Sequence, residues 1–204
     1  MSLQSRAVTM TKQMIQIEST DPGTYENAMA NWITSQLAPY PNVQLTRQEV
    51  LPGRPNLMAE LPGDPALPAL IMICHMDTVV VGDGWTLPPF EAIEKNGKIY
   101  GRGACDMKSG LACCLSAFQY VAEMLKASGK TPKQTLKLIC SMDEEDFMRG
   151  SEACIQSGWI TDHDWVIDAE PTNGQIQMAH KGRTWYEIDV QGHTAHASTP
   201  WKGA

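Results

Sequence analysis

Four short clusters hold the side chains best suited to chemistry. They are His75-Met76-Asp77, then Asp106 within Gly101-Arg102-Gly103-Ala104-Cys105-Asp106-Met107-Lys108, then Asp143-Glu144-Glu145, and last Asp168-Ala169-Glu170-Pro171-Thr172. The imidazole of His75 offers a nitrogen suited to Zn²⁺. Asp77, two residues on, is placed to hold the other ring nitrogen and fix the tautomer. A carboxylate such as Asp106 can bridge two ions about 3.5–4 Å apart. Glu144 and Glu145 form an adjacent acidic pair, which repels itself unless a cation or proton intervenes. One of the two can bind metal while its neighbour acts as a general base toward an activated water. Asp168 or Glu170 can supply a terminal metal carboxylate.

Each cluster also has an ordinary reading. His75 suits a hydrogen-bonded core histidine beside a turn aspartate. Asp106 suits a helix N-cap. The glutamates suit a solvated acidic loop, and Asp168 and Glu170 a turn. The order and company of the four clusters favour a two-metal hydrolase over four separate accidents. Other motifs fail on single residues. A dinucleotide-binding G-x-G-x-x-G needs glycine at 106, and a Walker A loop ending at Gly129-Lys130-Thr131 needs glycine where Met124 stands. His193 and His196, in Gly192-His193-Thr194-Ala195-His196, either bind metal, face a substrate carbonyl or carboxylate, or lie in a polar loop. Arg102, Lys108 and Arg183 are cations for a substrate carboxylate or for the solvated surface. His163 and His180 lack a supporting context.

The elements that would carry these clusters are legible too. Apolar runs at 69–74, 135–142 and 164–167 read as buried strands, and each runs into a cluster. Residues 43–50 and 56–61 are further strand candidates. Helices are expected over 4–18, 24–37, 107–127 and 149–157. In the third of these, Leu111, Cys114, Leu115, Phe118, Val121, Ala122 and Leu125 form one stripe. Alternation of strand and helix predicts an α/β fold with a mostly parallel or mixed sheet flanked by helices. Ligands of such sheets bind beyond the carboxyl ends of the strands, where three of the clusters sit. Residues 175–180 and 184–191 read as strands with a different period. A boundary near 179–182 would divide a catalytic domain, 1–179, from a second domain beginning at 180–204.

Composition narrows the function. The 204 residues are 43% hydrophobic and 19% charged, which suits a globular chain. A net charge of −7 with no basic run argues against nucleic-acid or anionic-membrane partners. No apolar stretch reaches the roughly 18 residues of a membrane span. The polar start of the chain lacks a signal-peptide core, so a cytoplasmic location is expected. The six cysteines form no C-x-x-C pair and read as reduced thiols, mostly in the core.

Taken together, the clusters resemble the dinuclear zinc amidohydrolases and metallopeptidases that include acetylornithine deacetylase, succinyl-diaminopimelate desuccinylase, aminoacylase and carboxypeptidase G. The resemblance spans roughly residues 10–204, and the Gly101–Gly110 segment is its most specific part. It implies a zinc-exopeptidase-like catalytic domain and the start of a smaller α+β lid domain. It implies two Zn²⁺ per complete site, with Co²⁺ or Mn²⁺ as substitutes. His75, Asp106 and Glu170 would hold one ion, Asp106 would bridge, and Glu145 would hold the other. Glu144 would be the general base, Asp77 the partner of His75, and His196 a lid histidine reaching a partner subunit in homodimers. A cis peptide is expected at Asp106-Met107. The implied reaction is hydrolysis of an amide in a small N-acyl amino acid or short peptide by a zinc-activated water. A lidless dinuclear aminopeptidase is the alternative enzyme. The family's distal metal histidine has no match here, so the resemblance also implies that these 204 residues by themselves are a catalytically incomplete N-terminal portion.

Overall fold

A computed structural model describes residues 2–204. Its elements run in the order α1 (Leu3–Ile15), β1 (Thr20–Asp21), α2 (Asn27–Leu37), β2 (Gln44–Leu51), β3 (Arg54–Leu61), β4 (Leu70–His75), β5 (Thr78–Val79), β6 (Ile93–Lys95) and β7 (Lys98–Tyr100). A π-helical turn (Ala104–Lys108) then leads into α3 (Ser109–Ser128), β8 (Leu136–Ser141), α4 (Arg149–Gln156), β9 (Trp165–Asp168) and a 3₁₀ turn (Pro200–Lys202). The chain divides into two compact units, one up to Pro171 and one from Thr172 to Ala204. The change of pattern read near 179–182 lies within the second unit.

The first unit is built on a five-stranded sheet of order β2-β3-β8-β4-β9. β2, β3 and β8 pair antiparallel, whereas β4 pairs parallel with both β8 and β9. The sheet is therefore mixed. Its β2–β3 hairpin turns at Pro52-Gly53, a tight-turn dipeptide that folds β3 back on β2. Alternate residues serve opposite faces. Leu57, Ala59, Leu61, Cys74, Leu138 and Cys140 join Met14 of α1, Ile33 of α2 and Phe118 of α3 in the larger core. Met58, Ile71 and Ile139 point the other way and meet Cys154 of α4. Leu111, Leu115, Phe118 and Ala122 of the expected α3 stripe are fully buried.

Three expectations need correction. The helix expected from 24 begins at Asn27, because Tyr25 has a left-handed backbone (φ 57°) and Glu26 turns its side chain to Arg54. β9 was expected to be buried, yet Trp165 is 67% and Ile167 52% exposed, since β9 is the last strand of the sheet order. Among the described residues, 175–180 and 184–191 form no strand. Their apolar side chains Ile176, Met178, Tyr186, Ile188 and Val190 are 83% to 97% exposed. An alternating pattern makes a strand only when a neighbouring ladder takes its N–H and C=O groups.

In the second unit, His193 and Ala204 exchange backbone hydrogen bonds of 2.8 and 3.2 Å. The ring Nδ1 of His196 meets Ser198 Oγ at 2.9 Å. No helix among the described residues is long and apolar enough to cross a membrane.

Candidate metal centre

Register places the clusters at one rim. β4 and β8 run parallel and His75 pairs with Ser141, so His75 and the Asp143-Glu144-Glu145 turn leave the sheet side by side. On the other flank of β4, Asp168 pairs with Ile73, which brings Glu170 to the level of His75. Asp106 arrives from the π-helical turn. Gly103 opens that turn with φ 78°, and a Cβ there would come within 2.7 Å of Thr78 Cγ2. Asp106 has extended rather than helical angles and caps no helix, because α3 starts only at Ser109. The Asp106–Met107 peptide is cis, as the resemblance implies. Buried Met107 accepts a hydrogen bond at Sδ from the backbone N–H of His75, 3.1 Å away, which ties the turn to the end of β4.

His75 is 2% exposed and central. Its Nε2 lies 3.1 Å from Asp106 Oδ1, 3.5 Å from Glu170 Oε1 and 3.9 Å from Glu144 Oε2. Donor atoms of His75, Asp106 and Glu145 fall within 4.8 Å of one another, and so do those of His75, Glu144 and Glu170. Two overlapping triads thus surround one face of the imidazole. On the other side, Nδ1 is 2.9 Å from the backbone oxygen of Asp77 and 3.7 Å from its carboxylate. Nδ1–H donates to that carbonyl, which leaves Nε2 facing the carboxylates, where it donates to Asp106 as Nε2–H or, with that proton displaced, offers its lone pair to a metal.

The Asp77 carboxylate has another partner. It accepts the backbone N–H groups of Glu144 and Glu145, at 3.2 and 3.0 Å. Asp77 thus holds the histidine through its carbonyl and the glutamate turn through its side chain. Asp77 is itself fixed by the short β1–β5 ladder, in which Thr20 pairs with Thr78.

The side chains of the site are strongly coupled electrostatically. Burial works against a charged His75, but the Asp106 hydrogen bond and the surrounding carboxylates outweigh it and push the imidazole up to about 10. Burial, then repulsion from Asp106, Asp168 and Glu144 in spite of His75, pushes Glu170 up to about 8. Burial also raises Glu145. Asp106 is held below the usual carboxylate range by its bond to His75. A divalent ion would replace the retained protons and neutralise the repulsion. The donor set of one imidazole nitrogen and several carboxylates suits zinc.

The structure brings together His75, Asp77, Asp106, Glu144, Glu145 and Glu170, while His196 lies in the second unit. Lys108 is removed from the candidates for a substrate carboxylate. It is 1% exposed, its Nζ donates to the Ile17 carbonyl at 2.8 Å, and burial lowers its pKa to about 7. Arg102 donates to the Val81 carbonyl at 2.9 Å and stacks over Trp85. Sequence reasoning missed the supports of the glutamate turn, Arg54, Glu26 and Asn56. Asn56 accepts the Met142 N–H at 3.0 Å and donates to the Gly150 carbonyl at 2.9 Å. No local signal marks these residues, because their hydrogen bonds to the turn and its flanks span 86 to 117 positions of the chain.

Residues 71–202 match Peptidase family M20/M25/M40. The chain is 38% identical over 152 residues to a probable succinyl-diaminopimelate desuccinylase of Staphylococcus aureus, covering 74% of this chain and 36% of that protein. It is 38% identical over 130 residues to an acetylornithine deacetylase of Buchnera aphidicola, covering 63% of this chain and 32% of that one. It thus spans about a third of the length of these curated relatives. The M20 family metallo-carboxypeptidase Sso-CP2 of Sulfolobus solfataricus superposes with a TM-score of 0.64 at 22% identity, over 80% of this chain and 37% of that one. The mixed α/β architecture and the matched residues give one conclusion, that the chain belongs to Peptidase family M20/M25/M40.

Proposed function

We propose that this chain carries the metal-binding part of a two-zinc hydrolase that cleaves the amide of a small N-acyl amino acid or short peptide. The observation that carries this reading is the convergence of Asp106, Glu144 and Glu170 on His75 Nε2, all within 3.9 Å. His75, Asp106 and Glu170 would hold one ion, and Glu145 the other, with Asp106 shared. Zinc, when bound, supplies Lewis acidity, which makes a water acidic enough to lose a proton near neutral pH and polarises an acyl carbonyl.

The chain's own residues do the rest. Glu144 is the general base. It takes the proton from the attacking water and passes it to the leaving amine. Asp77 keeps Glu144 in reach through the N–H groups of the turn, and the Asp77 carbonyl fixes the tautomer of His75. His196 is assigned to the oxyanion of the tetrahedral intermediate, supplied across a homodimer of the whole protein. The names of the two relatives make N-succinyl and N-acetyl amino acids the first substrates to try, ahead of dipeptides.

The test is amine release from an N-succinyl, N-acetyl and dipeptide panel by the whole protein, before and after chelation and with zinc restored. Activity that disappears with chelator and returns with zinc supports the proposal. Hydrolysis indifferent to chelation, or none across the zinc-loaded panel, overturns it.

A further inference from the structure

One buried charge cluster is not used by that mechanism. Arg54 opens β3 with its side chain only 8% exposed. Its guanidinium meets three carboxylates, two from the stretch that runs from β1 to α2 and one from the glutamate turn. It donates to Asp21 at 2.5 Å, grips both oxygens of Glu26, one of them through Nε at 2.9 Å, and lies 3.3 Å from Asp143 Oδ1. The ring of Tyr25 covers it, with the guanidinium carbon 4.2 Å from the centroid. Asp143 is the first residue of the glutamate turn. It is fully buried, with a left-handed backbone (φ 62°) that re-aims the chain as it leaves β8. Glu26 Oε1 also accepts the backbone N–H of Asp143, at 3.2 Å. Arg54 thus reaches this residue twice, at its carboxylate directly and at its N–H through Glu26. From outside, Arg149 closes on the same carboxylate at 2.5 and 2.7 Å.

We propose that Arg54 is the positioning residue of the glutamate turn, holding Asp143 so that Glu144 and Glu145 present their N–H groups to Asp77 and their carboxylates to His75. This rests on the functional reading above only for its consequence, metal binding. The geometry of the turn can be read without metal. The planar fork is essential, because one guanidinium can engage several carboxylates in fixed directions, whereas a lysine ammonium is a point charge. Lysine at 54 keeps the charge balance of the buried acids but cannot span Asp21, Glu26 and Asp143 together. The role therefore differs from mere neutralisation of buried charge.

The experiment is residue-resolved amide hydrogen exchange of the whole protein, wild type against Arg54→Lys, followed by zinc titration against a competing chelator. The Glu144 and Glu145 amides should exchange at least roughly tenfold faster in the variant, while those of Ile73 and Ile139 in the sheet keep their wild-type rates. Zinc affinity should fall roughly tenfold, as for other groups that orient a metal ligand from behind. If Arg54→Lys does not fold, Asp143→Asn provides the same test with Arg54 in place, and a smaller acceleration is expected. Unchanged Glu144 and Glu145 exchange overturns the proposal. So does an equal acceleration across the sheet, which would mark Arg54 as a general stabiliser. A wild-type whole protein that binds no zinc would refute the functional reading, while the exchange rates would still decide the role of Arg54.

Discussion

Asp77→Asn is the substitution that probes the site most finely, because it changes almost no volume. The Asp77 carboxylate is buried and accepts two N–H groups, from Glu144 at 3.2 Å and Glu145 at 3.0 Å. Asparagine keeps one acceptor oxygen and turns the other into an NH₂ donor. One of the two amides then loses a bond to a charged acceptor, worth about 1.5–3 kcal/mol, and faces a donor instead. The Asp77 carbonyl that takes the His75 Nδ1–H is backbone and survives the change. The damage is therefore specific to the glutamate turn. Because Glu145 rides on that turn, zinc affinity should fall by about 10–100-fold, the range for groups that orient a ligand from behind. In free energy this is about 1.4–2.8 kcal/mol. The assay is zinc titration against a chelator of known affinity, with far-UV circular dichroism to confirm the fold. An Asp77→Asn chain that folds and binds zinc as tightly as wild type would refute the claim that this carboxylate holds the metal-facing turn.

Other substitutions separate the remaining roles. Glu144→Gln in the whole protein should retain its zinc and lose about 10²–10⁴-fold in kcat, as expected for a general base; elemental analysis showing metal lost together with turnover would make Glu144 a ligand instead. Gly110→Ala should lower Tm and weaken zinc binding together, because a Cβ there would come within 2.3 Å of the Ala169 carbonyl, next to Glu170; an unchanged Tm would contradict that close approach. Phe118→Ala removes a fully buried ring from the larger core and should cost about 3–5 kcal/mol in denaturant unfolding. The metal-free chain should lose stability as pH rises. The Glu170 carboxyl, raised to about 8, opposes the fold increasingly from its unfolded value near 4.5 up to 8, and the stabilisation from His75, raised to about 10, is lost between 6.5 and 10. A Tm series from pH 5 to 9 with chelator present should therefore fall, and Glu170→Gln should flatten its lower half.

Much of the site could be read from sequence because it is built at strand ends. An apolar run that stops at His75, another that stops before Asp143, and a third that leads through Asp168 to Glu170 are local patterns, and parallel pairing turns them into one rim. The sheet was harder to read. The strand candidates 43–50 and 56–61 correspond to β2 and β3, yet hydrophobic period alone gave no direction to either. Periodicity also failed for 184–191, where Tyr186, Ile188 and Val190 alternate as in a strand but meet no ladder. Asp77 was legible as a partner of His75. Its grip on the Glu144 and Glu145 amides was not, since it joins residues 67 and 68 positions apart. The same holds for Arg54, whose charge offers no sequence clue that it sits buried among Asp21, Glu26 and Asp143.

The most direct test of the metal centre is anomalous diffraction at the zinc edge from crystals grown with zinc. The account predicts strong density within ligand distance of His75 Nε2 and Asp106, flanked by Glu145 and Glu170. A zinc-replete crystal with no peak at those atoms would contradict it.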